Sequence, residues 1–135
     1  MFDSGLRQAE ICHLYIKDIR FSEHYAIVRG KGEKERYVPL GSAVMDRLSA
    51  YLDVRGDSDV PFVFLDRYGG PLSENAVKQF VYKLSRQTGI DFSSHKLRHN
   101  FATNYCIDHY EESGQADVYK LMHLMGHGNI KTTEI

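Results

Sequence analysis

Two strand-forming runs separated by a turn dense in glycine and charge restrict the fold more than any other feature of the chain. Tyr25-Ala26-Ile27-Val28 and Tyr37-Val38-Pro39-Leu40 are rich in residues that suit a pleated, half-buried surface. Between them, Gly30-Lys31-Gly32-Glu33-Lys34-Glu35-Arg36 reads as a mobile hairpin turn. Asp18-Ile19-Arg20-Phe21 reads as an earlier strand. Pro39 cannot donate to a ladder, so its strand belongs at an edge. The pattern predicts a three-stranded antiparallel sheet near residues 17 to 40.

Elsewhere the periodicity is helical. Leu6, Ala9, Ile11, Leu14 and Tyr15 make one apolar stripe after Gly5, and Ser42 to Tyr51 makes another. Ser73-Glu74 opens a helix that runs to about Thr88 and closes at Gly89. Ser93-Ser94 caps a central helix carrying Leu97, Phe101 and Tyr105. Asp117 to Met125 is helical and stops at Gly126, and Asn129 to Ile135 reads as a last helical piece. Arg55 to Pro61 and Glu111 to Gln115 read as loops, Phe62 to Leu65 as a short buried segment, and Tyr68-Gly69-Gly70-Pro71 as a turn. The fold class expected is α+β: mostly helical, with the small sheet at one edge.

A chain of 135 residues suits one domain, taken as 1–135. With 42% hydrophobic and 26% charged residues it has the composition of a soluble globular protein. Its net charge of -1 means that a nucleic-acid partner must be met by a local basic face. No signal peptide or apolar run of membrane-spanning length is present. Cys12 and Cys106 lie among apolar residues and are expected to be buried reduced thiols, which fits an intracellular protein. Met1 to Gly5 reads as the middle of a longer chain and Lys131 to Ile135 carries no closing signal, so a fragment at both ends is expected.

Several polar positions stand out. His95 and Arg98 are three apart, neighbours on one face at a helix start. An imidazole beside a guanidinium there suits an oxyanion, and a phosphate best. Arg7 opens the first helix, Lys31 sits at the hairpin tip, and His127 lies between Gly126 and Gly128. Singly, each has a plainer reading. Arg7 can pair with Glu10, Lys31 can be a solvated turn residue, and His127 can be a histidine at a helix end.

Four ordered motifs change that balance. They are Ser4-Gly5-Leu6-Arg7-Gln8-Ala9-Glu10-Ile11, then Gly30-Lys31-Gly32 with Lys34-Glu35-Arg36-Tyr37-Val38-Pro39-Leu40, then His95-Lys96-Leu97-Arg98-His99-Asn100-Phe101-Ala102-Thr103, and Leu124-Met125-Gly126-His127 with Thr132-Thr133. Together they resemble the catalytic domain of the tyrosine recombinase (phage integrase) family over nearly the whole chain. The resemblance implies a site-specific recombinase that cleaves and rejoins double-stranded DNA through a 3′-phosphotyrosyl intermediate.

It also implies roles. Arg7 and Arg98 would clamp the non-bridging phosphate oxygens, and His95 and His127 would add hydrogen bonds and help move protons. Lys31 would protonate the leaving 5′-oxygen. Glu10 would be an accessory residue that orients the site, His99 a structural helix residue, and Lys34, Arg36 and Lys96 would contact DNA. No metal or other cofactor is implied. The nucleophilic tyrosine is expected about nine residues past His127, which is the position after Ile135, and none of the nine tyrosines present matches it. The chain alone is therefore expected not to cleave DNA. An N-terminal DNA-binding domain, a tetramer on DNA for the full-length protein, a monomer for this chain, and a cytoplasmic, bacterial or phage-encoded origin complete the expectation.

Two other readings compete. His95 and His99, like His123 and His127, have a spacing seen in metal hydrolases, but neither pair encloses a glutamate in between and Gly126 interrupts the second. A non-cleaving DNA-binding or regulatory module of the same fold would be expected to have lost some charge-stabilising positions, and here all are filled. The type IB topoisomerases share the chemistry, but the Gly5-Leu6-Arg7 and Leu124–His127 motifs favour a recombinase.

Overall fold

The computed structural model of the chain describes residues 1–115 and 117–127. Three strands, β1 (Ile19–Arg20), β2 (Tyr25–Arg29) and β3 (Glu35–Pro39), form one antiparallel sheet in the order β1-β2-β3. Pro39 thus lies at the end of an edge strand. Ala26 pairs with Val38 and Val28 with Arg36, and all four are buried. Strand alternation therefore sends Arg36 inward with two valines and an alanine.

β3 begins two residues earlier than its β-rich run predicts. The Gly30 amide donates to the Lys34 carbonyl at 2.9 Å, closing the turn before Glu35. The turn itself is a single helical twist, Lys31–Glu33, in which Gly32 and Glu33 take φ of 75° and 57°.

The helices among the described residues are α1 (Gln8–Cys12), α2 (Ser42–Arg55), α3 (Glu74–Thr88), α4 (Ser94–Ser113) and α5 (Val118–Met125). Ser73, Ser93 and Asp117 cap α3, α4 and α5, each accepting from a backbone amide three residues on. Three boundaries differ from the sequence expectation. α1 stops at Cys12 because the backbone beyond it pairs elsewhere: the Val63 amide donates to Leu14 and the Ile16 amide to Pro61. α2 runs on to Arg55, ending where Gly56 takes φ 67°. α4 absorbs Glu111, Glu112 and Ser113, since nothing breaks the helix before Gly114. Of the segment 62–65 only Val63 is fully buried. The helix expected over Asn129–Ile135 lies outside the described residues.

Apolar burial falls into three clusters. The sheet and α2 share one, through Ala26, Val28, Val38, Met45 and Leu48. Cys12, Val77 and Val81 join α1 to α3. Ala102, Leu121 and Met125 join α4 to α5, with Phe101 packed alongside. Cys12 is buried and Cys106 half-buried, and burial raises both thiols above their usual range, so both stay protonated at neutral pH.

Candidate active site

The site begins with a constraint on Gly5. Its φ is 65°, and a Cβ there would lie 2.6 Å from the Phe101 ring, so only glycine lets the N-terminal segment cross α4 this closely. The crossing is pinned twice. The Arg98 Nε donates to the Gly5 carbonyl at 2.7 Å, and Gln8 Nε2 donates to Ser94 Oγ at 2.5 Å. Arg7 then stands at the start of α1, beside the first turn of α4.

Glu10 lies one turn into α1 and holds Arg7 in place. Its carboxylate accepts the Arg7 backbone amide at 2.8 Å and Arg7 Nη1 at 3.1 Å. The same two oxygens accept Arg36 Nη1 at 2.6 Å and Nη2 at 2.8 Å. Burial pushes the Glu10 carboxyl up, but the hydrogen bonds from Arg36 and the Arg7 amide, with both guanidinium charges, bring it below its ordinary 4.5. It is a buried carboxylate, ionised at neutral pH.

The end of α5 supplies the other half of the frame. Gly126 takes φ 67°, its amide donates to His123 and the His127 amide donates to Met122. This pattern caps two helix carbonyls and leaves the next three turned outward. Each of those three meets an arginine from a different element. Leu124 accepts from Arg36 Nε at 2.8 Å, Met125 from Arg98 Nη2 at 3.0 Å, and Gly126 from Arg7 Nη2 at 3.0 Å. The negative end of the helix dipole favours cations there. Gly126 has no room for a side chain, since a Cβ would lie 2.9 Å from Arg36 Nη1 and 3.1 Å from Arg7 Nη1.

Three guanidiniums around one carboxylate leave a local charge of +2. Burial, then the Arg7 and Arg36 charges against the opposing pull of Glu10, lower Arg98 from its ordinary value to about 10, so it stays charged at neutral pH. His127 follows directly on α5. Burial, then the charges of Arg98, Arg7 and Arg36, hold its imidazole below its ordinary 6.5 despite Glu10. It is neutral at neutral pH, able to donate from one ring nitrogen and accept at the other. An excess of positive charge with a half-exposed Arg7 at its surface is a receptor for an oxyanion.

Of the residues singled out from sequence, Arg7, Glu10, Arg98 and His127 meet here. Lys31 lies on the exposed hairpin and makes no hydrogen bond or ion pair among the described residues. Its hairpin is rooted beside the cluster, since a Cβ on Gly30 would stand 3.9 Å from Arg36 Nη1. His95 is exposed in the first turn of α4, one turn before Arg98, in a hollow shared with Phe2, Asp91 and Phe92. Lys34 is exposed, and Lys96 is exposed and paired with Asp91 at 2.5 Å.

Arg36 is a correction. Sequence reasoning sets it beside Lys34 and Lys96 toward DNA, but its side chain is 5% exposed and its donors are spent on Glu10 and Leu124. The signal was in the sequence: Arg36, Val38 and Leu40 alternate in phase, which points all three inward once β3 is started at Glu35. The histidine pairs gather no metal site among the described residues, where no three His, Cys, Asp or Glu side chains cluster.

A model of the phage integrase family matches residues 1–135. The chain is 34% identical over 139 residues to tyrosine recombinase XerA of Pyrococcus horikoshii, and 36% identical over 146 residues to tyrosine recombinase XerC of Halalkalibacterium halodurans. Each match takes in 100% of this chain and 46% of the relative, so the chain spans about half the length of the curated relatives it matches. A crystal structure of XerA recombinase superposes with a TM-score of 0.84 at 29% identity, covering 98% of this chain and 48% of that one. XerH site-specific recombinase, in a pre-cleavage complex with its difH substrate, superposes with a TM-score of 0.80 at 25% identity, covering 98% of this chain and 39% of that one. With the family match running from the first residue to the last, the chain belongs to the phage integrase family.

Proposed function

We propose that this chain is the catalytic portion of a site-specific DNA recombinase that cleaves and rejoins strands through a 3′-phosphotyrosyl intermediate. The observation that carries the reading is the fastening of Arg7 and Arg98 to adjacent carbonyls, Gly126 and Met125, in a pocket of net positive charge. Two guanidiniums side by side suit the non-bridging oxygens of one phosphodiester, whose charge grows as a fifth oxygen bonds to phosphorus. The relatives named as tyrosine recombinases and the DNA-bound XerH support the same chemistry.

In the reaction a tyrosine oxygen bonds to phosphorus as the bond to the 5′-oxygen breaks. The phenolic proton passes to an imidazole, His127 or His95, and the departing 5′-oxygen takes a proton from Lys31. The exposed hairpin lets Lys31 approach when DNA lies across the pocket. Family spacing puts the tyrosine just beyond Ile135. The partner is double-stranded DNA, with tetramer assembly in the full-length protein and action in the cytoplasm. Among the described residues no helix is long and apolar enough to cross a membrane.

The test uses the parent protein, extended past Ile135 through that tyrosine, on a nicked suicide substrate. A DNA-shifted band on a denaturing gel is expected, unaffected by chelator and absent from the 135-residue chain. Arg7→Ala and Arg98→Ala should each abolish it, removing about 3 kcal/mol or more of transition-state stabilisation. DNA binding with no adduct would favour a non-cleaving module, and a metal requirement would mean different chemistry.

A further inference from the structure

We propose that Arg36 is a positioning residue for strand cleavage, acting by fixing both anchors of the Arg7 guanidinium. The inference rests on the recombinase reading, in which Arg7 meets the phosphate. The Arg7 side chain has two anchors, Glu10 Oε1 at 3.1 Å and the Gly126 carbonyl at 3.0 Å. Arg36 holds the first directly, through both carboxylate oxygens. It holds the second through Leu124, two residues earlier at the same helix end. Arg98 grips Met125 and Gly5 but makes no hydrogen bond to Glu10. Among the described residues Arg36 alone joins the two anchors.

Its position needs such an explanation. Arg36 takes an inward strand site opposite Val28, where an apolar side chain would bury at no electrostatic cost. A guanidinium is tolerated because its planar fork meets the carboxylate with two donors while Nε turns to the helix carbonyl. The ammonium of a lysine is a single point and cannot hold the three acceptors in that geometry. There is also a consequence for Arg7. With Arg36 filling both Glu10 oxygens, the carboxylate takes only one Arg7 donor from the side chain, at the longer 3.1 Å. With one Nη1 donor on Glu10 and one Nη2 donor on Gly126, the remaining Arg7 N–H groups are left for a phosphate on the half-exposed side.

The test compares Arg36→Lys and Arg36→Met with the wild-type parent protein. Single-turnover adduct formation is followed at saturating protein, and DNA affinity is measured across a salt series. The expected result is a rate constant lowered roughly 100-fold by displacement of Arg7, with DNA affinity and its salt dependence unchanged. A lower adduct amplitude with an unchanged rate constant would reduce Arg36 to a folding role and overturn the proposal. Weakened affinity with a shallower salt slope would make it a DNA contact and also overturn it. Arg36→Met leaves Glu10 buried without its main partner, so Arg36→Lys, which keeps a cation there, decides if the first variant does not fold. A second arm needs no activity. In nitrogen-15 spectra of Arg36→Lys, the Arg7 guanidinium signal should shift or broaden while that of the remote Arg55 holds still, and an unmoved Arg7 signal would overturn the proposal. A wild-type protein that forms no adduct would count against the recombinase reading, and the spectra would still decide the role of Arg36.

Discussion

Glu10 accepts four hydrogen bonds, two from Arg36 and two from Arg7, which is about the full capacity of a carboxylate. Removing it strands a buried guanidinium, so Glu10→Ala should lose on the order of 3–5 kcal/mol in a urea melt. The pH dependence follows from the lowered carboxyl pKa. The folded state binds fewer protons there than the unfolded, so this stability is complete above the ordinary 4.5 and lost as pH falls through the folded value. Glu10→Gln should be less stable at neutral pH and show a flatter acid limb than wild type. His127 also has a lowered pKa, but as a base. Its neutral folded form costs stability as pH falls below 6.5, and a bound anion would raise its pKa again. Sulfate affinity, measured by calorimetry, should therefore increase as pH falls from about 7.5 to about 5.5, and His127→Gln should flatten that rise. Much of the site is legible at this scale. Arg7 and Glu10 are three apart, so their proximity is dictated by helix geometry, whereas the equal spacing of His95 and Arg98 leaves His95 in the hollow beside Phe2 and Asp91. Arg36 is obscured by its charged neighbours, because Lys34 and Glu35 make the strand start look like turn.

Among the elements, capping is what the sequence states most clearly. Ser73, Ser93, Asp117, Gly89 and Gly126 act as their local chemistry dictates, because a cap needs only its own turn. Boundaries set by distant partners are not legible in the same way. α1 ends at Cys12 because Leu14 and Ile16 hydrogen-bond to residues 61–63, nearly fifty positions away, and no local pattern encodes that pairing. α5 has eight residues, too short to persist without tertiary support. Its Asp117 cap, accepting from Lys120 at 2.9 Å, therefore matters to the site as well as to the helix. Asp117→Ala should cost about 1 kcal/mol of stability, read by urea melt. It should also weaken sulfate binding, although Asp117 lies at the far end of α5 from the arginines.

For the whole molecule, the arginine cluster draws on elements from all three apolar clusters. Arg36 comes from the sheet, Arg7 and Glu10 from the helix that packs on α3, and Arg98 from the α4–α5 pair. The charge of the chain is -1, so the DNA contact of the proposed function must draw on that cluster and the exposed lysines. Binding of duplex DNA by this chain should be weak, indifferent to sequence and steeply reduced by salt, as measured by fluorescence anisotropy over a salt series.

The three carbonyls at the end of α5 have a further consequence. A phosphate that reaches Arg7 and Arg98 meets guanidiniums already shared with that helix, so occupancy of the pocket and docking of α5 are linked equilibria. Linkage is reciprocal: whatever the anion adds to the hold on α5, a well-docked α5 adds to the hold on the anion. Lifting of α5 would take one acceptor from each of the three arginines and leave Arg7 and Arg36 on Glu10 and Arg98 on Gly5. Amide hydrogen exchange along α5 should therefore slow when sulfate fills the pocket, so that the seating of eight residues gauges the charge held above them.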